Sequence, residues 1–477
     1  MWEVTKLAIN KDVSVMAPGM IMSVDDALAL SRNEVLALHK NYGNPSLAAL
    51  LGLVGFDRQF VRAEGMKIWD SEGNQYLDFL GAFGAMNLGH NHPEILGALE
   101  KIREVPNLIP TSLPTMVAAL LHNLAIITPG RLKRSFHCNS GAEAVEGALK
   151  IARASTGRTV FVYCQNSFHG KTFGALSVTG REKYRKSFEP LLPDCVEVPF
   201  GDIDSLGEAL VKYKPAAFIV EPIQGEGGVN IPPPGYLAEA ARLCREHGTL
   251  LIADEIQTGF GRTGAMFACQ LENVEPDIMC MAKSLGGGVE PTGAFITTDE
   301  IWQKAYGSID KVVLHSSTFS GNTRAATAGV AAIDVLLREN LSAKAAKNGS
   351  YFIEGLLALK SKYPLIKEVR GRGLLIGIEF TKPGGLADKV TFGMATKLSQ
   401  EYLGTLIASE LLNKYHIITA YTLNNPNVIR LEPPLIVTRE EIDRVLSALD
   451  EILKRNKGFL SFAATSAGTA IKSFRRR

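Results

Sequence analysis

The sequence predicts an α/β protein, with a large domain built on a mainly parallel sheet and a smaller α+β domain. Two observations support this fold class. From about residue 115, short apolar runs alternate with helical stretches, which is typical of strands buried on both faces and joined by helices. After about residue 330 the pattern changes to a long helix, a strand and two further helices. The apolar runs are Phe161–Tyr163, Ala217–Val220, Leu250–Ala253 and Ile278–Met281.

Local signals predict the remaining elements. Residues 23–40 read as one helix, because Ser23 can cap it and Asp26 stands three positions later, as in a capping box. Residues 61–80 read as short strands with a turn at Ser71–Asn74. The strand Arg134–His137 precedes an alanine-rich helix that we expect to end near Ala154. Beyond the long helix we expect the strand Gly373–Phe380 and helices near 396–414 and 439–455.

The length of 477 residues indicates more than one domain. We expect residues 1–80 to complete the small domain and residues 81–330 to form the large domain. Residues 331–460 would form the rest of the small domain, and 461–477 a basic tail.

The composition argues against several function classes. There are 51 basic and 49 acidic residues, a net charge of +2, so the chain has no electrostatic footprint for nucleic acid. The longest apolar run, Leu47–Phe56, is too short for a membrane span, and the N-terminus has no signal-peptide core. Six cysteines without a C-x-x-C pair suggest reduced thiols in a cytoplasmic protein. We expect no metal site, and His90 and His92 read as a locally bonded turn pair.

Three features stand at predicted strand ends, where open α/β sheets bind ligands. Ser140-Gly141 opens a helix whose N–H groups suit a phosphate, although an ordinary N-cap is the alternative. Asp254 follows a buried strand and needs a partner, either a protonated ring nitrogen, a basic side chain or a helix start. Lys283 also ends a core strand and is a candidate Schiff-base lysine, or else a lysine that reaches the surface. The glycines 286–288 that follow it would otherwise be a flexible turn.

Together, a phosphate cradle, an acid and an imine-forming lysine are the parts that pyridoxal 5′-phosphate requires. A nucleotide-binding module that uses the Ser-Gly turn would need neither Lys283 nor Asp254. The chain also resembles the class III aminotransferases of fold type I over residues 40–455. The resemblance rests on Phe168–Thr172, Glu221–Gly228, Asp254–Gly259, Ala282–Gly288, Ser317–Asn322 and Arg430–Pro434.

The resemblance implies roles for individual residues around the cofactor. Lys283 would carry pyridoxal phosphate and shuttle the substrate proton, and Asp254 would pair with the ring nitrogen. Gln257 would contact the 3-hydroxyl group of the ring, and Phe168 would stack on it. The phosphate would lie at Ser140, Gly141 and Ala142. The family usually has Thr where Ala142 stands, so backbone N–H groups would have to replace a hydroxyl contact.

The resemblance also implies a homodimer or a higher homo-oligomer with shared sites. Thr318 would reach the phosphate of the cofactor in the neighbouring subunit. Glu226 and Arg430 resemble a gating pair, in which Glu226 shields Arg430 while the amine donor is bound. Glu226 would then move away, so that Arg430 can bind the carboxylate of the acceptor 2-oxo acid.

The amine donor is indicated by residue 171. Members of the family that act on amino acids commonly have Arg after the His-Gly pair, whereas this chain has Lys171, which cannot form the two-pronged carboxylate contact. A diamine has no carboxylate, so we expect putrescine or cadaverine as donor and 2-oxoglutarate or pyruvate as acceptor. The alternatives are an N-acetylornithine, ornithine or 4-aminobutyrate aminotransferase, or an aminomutase. The stretches that look closest to putrescine aminotransferases are Gly81–Gly84, Ser135–Arg153, Thr422–Asn425 and Arg430–Leu435.

Overall fold

The computed structural model describes residues 21–54, 56–381 and 394–456, with the side chains of 53, 54 and 394–402 left out. The predicted basic tail and residues 1–20 lie outside this range. The strands are β1 (Phe60–Glu64), β2 (Lys67–Asp70), β3 (Gln75–Asp78), β4 (Leu132–Cys138), β5 (Phe161–Cys164), β6 (Cys195–Val198), β7 (Ala217–Val220), β8 (Leu250–Asp254), β9 (Ile278–Met281), β10 (Gly293–Thr298), β11 (Ile366–Arg372), β12 (Leu375–Phe380), β13 (Ile417–Ile418), β14 (Ala420–Tyr421) and β15 (Val428–Leu431).

The largest sheet has seven strands in the order β4-β10-β9-β8-β7-β5-β6. Strand β10 runs antiparallel to β4 and β9, and the pairs from β9 to β6 are parallel. The four apolar runs of the sequence are β5, β7, β8 and β9, and they are buried apart from Leu250, which is half-buried. The α/β architecture with a mainly parallel sheet is therefore confirmed.

Helices connect and cover these strands, as expected for parallel neighbours. The helices are α1 (Val24–Leu28), α2 (Arg32–Tyr42), α3 (Pro45–Val54), α4 (Gly81–Gly84), α5 (Pro93–Lys101), α6 (Thr115–Ile127), α7 (Gly141–Thr156), α8 (Phe173–Ser177), α9 (Glu182–Arg185), α10 (Ile203–Tyr213), α11 (Tyr236–Glu246), α12 (Asp299–Tyr306), α13 (Thr323–Arg338), α14 (Leu341–Lys362), α15 (Met394–Tyr415) and α16 (Arg439–Arg455). None of the helices in the described ranges has the length and apolar character that a bilayer span needs.

Two smaller sheets lie outside the large one, in the orders β1-β2-β3-β13 and β11-β12-β15-β14. Strand β3 pairs in parallel with β13, so the N-terminal strands join a C-terminal one. This pairing supports our proposal that residues 1–80 complete the small domain. The proposed boundary at residue 330 falls inside α13, and the domain limits remain a proposal.

The structure differs from the sequence prediction in two helical regions. The single helix expected over residues 23–40 is two helices, because Ser31 begins a second capping box with Glu34 after the one formed by Ser23 and Asp26. The long helix expected after residue 330 is α13 followed by α14, which are separated where Asn340 adopts a left-handed φ of 50°.

Candidate active site

A cavity of about 680 Å³ lies where β8 and β9 end and α7 begins. It lies at the carboxyl ends of parallel strands, the expected position for a ligand in an open α/β sheet. Seven of the predicted site residues line it: Ser140, Gly141, Ala142, Phe168, Asp254, Gln257 and Lys283. These seven residues therefore converge on one cavity, although they are spread over more than 140 positions, whereas Glu226, Thr318 and Arg430 do not line it.

Lys283 lies two residues beyond β9 and is half-buried in the cavity wall. Its φ of 51° is left-handed, a conformation that a residue with a side chain adopts only when its surroundings impose it. Burial lowers the pKa of the Lys283 amine, although the charges of Glu432 and Glu226 oppose this shift. A lowered pKa increases the neutral fraction of the amine, and the neutral amine is the form that attacks a carbonyl carbon.

The glycines after Lys283 are required by packing and are not a plain flexible turn. A Cβ on Gly287 would lie 2.3 Å from Ile95 Cδ1, and one on Gly288 would lie 2.5 Å from Met86 Sδ. Both glycines also have positive φ angles. They allow the chain to turn sharply beneath the cavity, which Gly288 lines.

Asp254 is the last residue of β8 and is buried. Its Oδ2 lies 2.6 Å from His169 Nδ1, and its Oδ1 accepts a hydrogen bond from the Ile256 N–H at 3.1 Å. Since a carboxylate only accepts, His169 donates from Nδ1. His169 therefore directly contacts the acid that faces the cavity.

The start of α7 is capped by a serine and leaves two backbone N–H groups free of helix partners. Ser140 is the N-cap, and its hydroxyl accepts a hydrogen bond from the Glu143 N–H at 3.2 Å. The N–H groups of Gly141 and Ala142 point out of the first turn, where a helix offers no partner of its own, and they suit an anion. A Cβ on Gly141 would lie 2.9 Å from Ile256 Cδ1, so this close approach requires glycine.

Gln257 and Glu432 form a buried polar pair beside the cavity. Gln257 donates from Nε2 to both carboxylate oxygens of Glu432, at 3.0 and 3.2 Å. Its Oε1 is then the remaining polar atom of the amide. Glu432 lies within the Arg430–Pro434 motif, but the resemblance implied no role for it. A signal was available, because Arg430 and Glu432 stand two residues apart on and after β15 and so point to the same side.

Glu221 is another buried acid for which the sequence indicated no role. It lines the cavity and accepts hydrogen bonds from the N–H groups of Phe168, at 2.9 Å, and Gly225, at 3.1 Å. Burial raises the pKa of Glu221 to about 7, and this effect outweighs the opposing charge of His169. Glu221 thus orders the loop that places Phe168 at the cavity.

Glu226 and Arg430, the expected gating pair, are in contact. Arg430 donates from Nη1 to Glu226 Oε1 at 2.6 Å, and its Nε lies 3.3 Å from Glu432 Oε2. The Arg430 side chain is fully buried, and its guanidinium lies 4.9 Å from the centre of the Phe83 ring. Within the described ranges, Arg430 Nη2 has no hydrogen-bond partner.

The charges around Glu226 keep it ionised. Burial disfavours its charged form, but Arg430 and Lys283 outweigh this effect and lower the pKa of Glu226. Its other oxygen accepts a hydrogen bond from the Leu423 N–H at 2.9 Å. Release of Glu226 from Arg430 would expose a guanidinium that can bind a carboxylate.

Lys171 lines the cavity, and its ammonium lies 4.8 Å from the centre of the Tyr184 ring. The Tyr184 hydroxyl donates to the Leu423 carbonyl at 3.3 Å. A cation over an aromatic face is attracted by the partial negative charge of that face. Tyr184 is thus a partner for Lys171 that the sequence did not identify.

Thr318 is exposed and does not line the cavity of its own chain. It stands in a surface segment with several exposed apolar side chains, which are Ile309, Val312, Val313, Leu314 and Phe319. Elsewhere, His90 Nε2 bonds Asp78 Oδ2 at 2.8 Å, whereas His92 lies near Glu94 and Glu339.

Comparisons with known proteins agree with this geometry. The family model described as aminotransferase class-III matches residues 55–453. Aminotransferase PigE of Serratia sp. (strain ATCC 39006) is 39% identical over 463 residues, which cover 90% of this chain and 54% of that protein. The chain therefore spans about half the length of this curated relative.

Solved structures of similar proteins cover nearly the whole chain. The ornithine aminotransferase of Toxoplasma gondii ME49 is 31% identical, with a TM-score of 0.79 and coverage of 93% of this chain and 98% of that one. An (S)-enantioselective omega-transaminase from Thermomicrobium roseum gives the same identity and TM-score, and the match covers 89% of this chain and 99% of that chain. Another structure of the Toxoplasma enzyme has PLP at partial occupancy in its active site. The fold is thus fold type I, as the sequence predicted.

The residues of the cavity fit this cofactor independently of the comparisons. They include Lys283, whose pKa is lowered, the buried acid Asp254 and a helix start that requires Gly141. The chain belongs to the class III aminotransferase family, and its cofactor is pyridoxal 5′-phosphate.

Proposed function

We propose that the protein is an aminotransferase that moves an amino group from a diamine, putrescine or cadaverine, to 2-oxoglutarate or pyruvate. The observation that carries the donor assignment is Lys171 in the cavity wall, with its ammonium over the Tyr184 ring. The alternating reaction of donor and acceptor at one site also needs a carboxylate clamp that can be switched off. The contact between Glu226 and Arg430 supports this second requirement.

Each residue of the cavity has a defined task in this proposal. Lys283 would hold the cofactor through its ε-amine, and Asp254 would keep the ring nitrogen protonated. The backbone at Gly141 and Ala142 would bind the phosphate, while Phe168 would cover the ring and Gln257 would meet its 3-hydroxyl group. When bound, the cofactor supplies an electron sink for the charge left after loss of a proton. Lys283 Nζ would take that proton from the carbon that bears the donor amine.

His169 helps to keep Asp254 ionised, because it donates a hydrogen bond to the Asp254 carboxylate. A carboxylate that must stay ionised in a buried site needs donors, and it has the His169 ring and the Ile256 N–H. Both contacts leave the carboxylate at the cavity wall. A charged acid at this position favours the protonated form of a neighbouring ring nitrogen.

The donor assignment follows from what Lys171 cannot do. A Lys ammonium is a point charge and lacks the planar fork that Arg offers to a carboxylate. The Lys171 ammonium also already has a partner, because it lies over the Tyr184 ring. With Arg430 bonded to Glu226, the planar clamp is covered as well, which suits a donor that has no carboxylate.

A second candidate function is an ornithine, N-acetylornithine or 4-aminobutyrate aminotransferase. The similarity to the ornithine aminotransferase of Toxoplasma gondii favours it, and so does the acetylornithine aminotransferase of Elizabethkingia anophelis. The latter is 30% identical, with a TM-score of 0.72 and coverage of 90% of this chain and 100% of that one. Each of these donors carries a carboxylate, so residue 171 separates the two candidates.

A donor panel tests the proposal, with kcat/KM measured for putrescine, cadaverine, ornithine, N-acetylornithine and 4-aminobutyrate. We expect the two diamines to have the highest values. Lys171→Arg should improve the ω-amino acids relative to putrescine, whereas Lys347→Arg is a matched control on the exposed side of α14. If the wild-type enzyme prefers ornithine or N-acetylornithine, the diamine proposal is wrong and the second candidate function takes its place.

We also propose that the active enzyme is at least a homodimer in which Thr318 contacts the phosphate of the cofactor in the neighbouring subunit. The exposure of Thr318 and of apolar neighbours such as Val313 and Phe319 supports this arrangement. Large apolar side chains at one surface are typical of an interface with a partner chain.

A further inference from the structure

One buried histidine ties the segment that carries Thr318 to the cavity wall. His137 is the sixth residue of β4 and only 3% exposed. Its Nδ1 lies 2.7 Å from the Ser320 carbonyl oxygen, and its Nε2 lies 2.7 Å from Thr292 Oγ1. Thr292 lines the cavity, and Ser320 closes the Thr318 turn, which we define as Ser317–Ser320.

The chemistry of the partners determines how the ring is protonated. The Ser320 carbonyl can only accept, so Nδ1 carries a hydrogen and donates. In the neutral ring Nε2 then accepts from the Thr292 hydroxyl. Burial lowers the pKa of His137, which is consistent with the neutral ring. Both ring nitrogens of His137 are therefore hydrogen-bonded, one to the Thr318 turn and the other to the cavity wall.

A second contact holds the other end of the Thr318 turn. Asn139, one residue beyond β4, donates from Nδ2 to Ser317 Oγ at 3.3 Å, and it also lines the cavity. Within the turn, the Ser320 hydroxyl donates to the Ser317 carbonyl at 2.8 Å. Thr318 thus stands between two anchors from the strand end that also leads into the phosphate-binding helix α7.

We propose that His137 is a positioning residue. It holds the Thr318 turn in the position from which Thr318 reaches the phosphate of the neighbouring subunit's cofactor. This inference rests on the proposed contact of Thr318 across the dimer. Thr292 fixes the other side of the ring, because its hydrogen bond joins His137 to the cavity wall of the same chain. Each chain would therefore set the geometry of a contact that it makes in its partner's site.

The test is a double-mutant cycle on cofactor affinity. The dissociation constant of pyridoxal phosphate is measured by fluorescence titration of the apoprotein for wild type, His137→Phe, Thr318→Ala and the double variant. We expect His137→Phe to raise the constant about tenfold, since it removes two buried hydrogen bonds. In the Thr318→Ala background His137→Phe should have no further effect, because the contact that it serves is already lost.

Two further variants separate positioning from folding. Ser135→Ala is the matched control, since Ser135 stands two residues earlier on β4 and its buried hydroxyl has no partner among the described residues. It should leave the affinity unchanged. If His137→Phe does not fold, Thr292→Val keeps the ring and removes one bond, and we expect about a threefold loss of affinity that also vanishes in the Thr318→Ala background.

The outcomes distinguish the inference from the proposal beneath it. If Thr318→Ala leaves the affinity unchanged, the proposed contact across the dimer is wrong, and the inference fails with it. If Thr318→Ala weakens binding but His137→Phe does not, or if the two effects multiply, the dimer contact stands and the role of His137 is overturned.

Discussion

Removal of the Arg430 guanidinium should separate the two substrates of the enzyme. Arg430 is fully buried and bonded to Glu226, and its Nη2, which has no hydrogen-bond partner among the described residues, can bind one more acceptor. In Arg430→Gln the acceptor acid loses a two-pronged, charge-assisted contact worth about 3 to 6 kcal/mol, at about 1.5 to 3 kcal/mol for each hydrogen bond to a charged group. We therefore expect the KM for 2-oxoglutarate to rise by a factor of about 100 or more.

The KM for putrescine should change by less than about threefold, because this donor has no carboxylate for Arg430 to bind. The assay is steady-state kinetics in which each substrate is varied at saturation of the other. Arg430→Gln also leaves Glu226 and Glu432 buried near each other without their cation, at a cost of about 3 to 5 kcal/mol in folding free energy. The double variant Arg430→Gln/Glu226→Gln removes part of this charge and controls for instability. An equal rise in both KM values would refute the assignment of Arg430 as the acceptor clamp.

Three further predictions follow from the buried acids and the proposed dimer. Asp254→Asn should retain the cofactor but lower kcat about 10- to 1000-fold, since an amide no longer raises the ring-nitrogen pKa by about 1 to 3 units; activity within a fewfold of wild type would give Asp254 another role. Because the pKa of Glu221 is raised from 4.5 to about 7, its contribution to stability is full below pH 4.5 and is lost, by about 3 kcal/mol, as the pH rises through 7. Glu221→Gln should therefore flatten the fall in Tm of the apoprotein over that range, and an unchanged pH profile would argue against the raised pKa. Mixing inactive Lys283→Ala with Thr318→Ala at limiting cofactor should restore about a quarter of the wild-type sites, because half of the random dimers are hybrids with one intact site; no recovery after proven subunit exchange would count against a Thr318 contact in trans.

The sequence predicted the elements whose signals are local. Four buried apolar runs became neighbouring parallel strands, and the capping box of Ser23 and Asp26 formed as expected. Strand β10 was missed because Gly293, Thr297 and Thr298 make it less apolar than the four predicted runs, although it is buried throughout. Strand β6 was missed because it lies at the sheet edge, is partly exposed and contains a charged residue, Glu197.

The candidate site was predictable where residue type and position suffice. Lys283 and Asp254 follow core strands, so the rule for ligands at strand ends located both at the cavity. The partners of these residues were not predictable, because His169 and Asp254 are 85 positions apart and Gln257 and Glu432 are 175 apart. Such contacts depend on how the layers pack, which a single sequence does not display. Tyr184 beneath Lys171 is of the same kind.

Borohydride reduction of the cofactor-loaded enzyme, followed by peptide mapping, tests the central claim most directly. Reduction makes the bond between pyridoxal phosphate and its lysine permanent, so the labelled peptide identifies the residue. The cavity wall offers two lysines, Lys171 and Lys283, and burial lowers the pKa of the Lys283 amine. We expect label on Lys283 alone and none in Lys283→Ala. Label on Lys171, or on any lysine other than Lys283, would contradict the account.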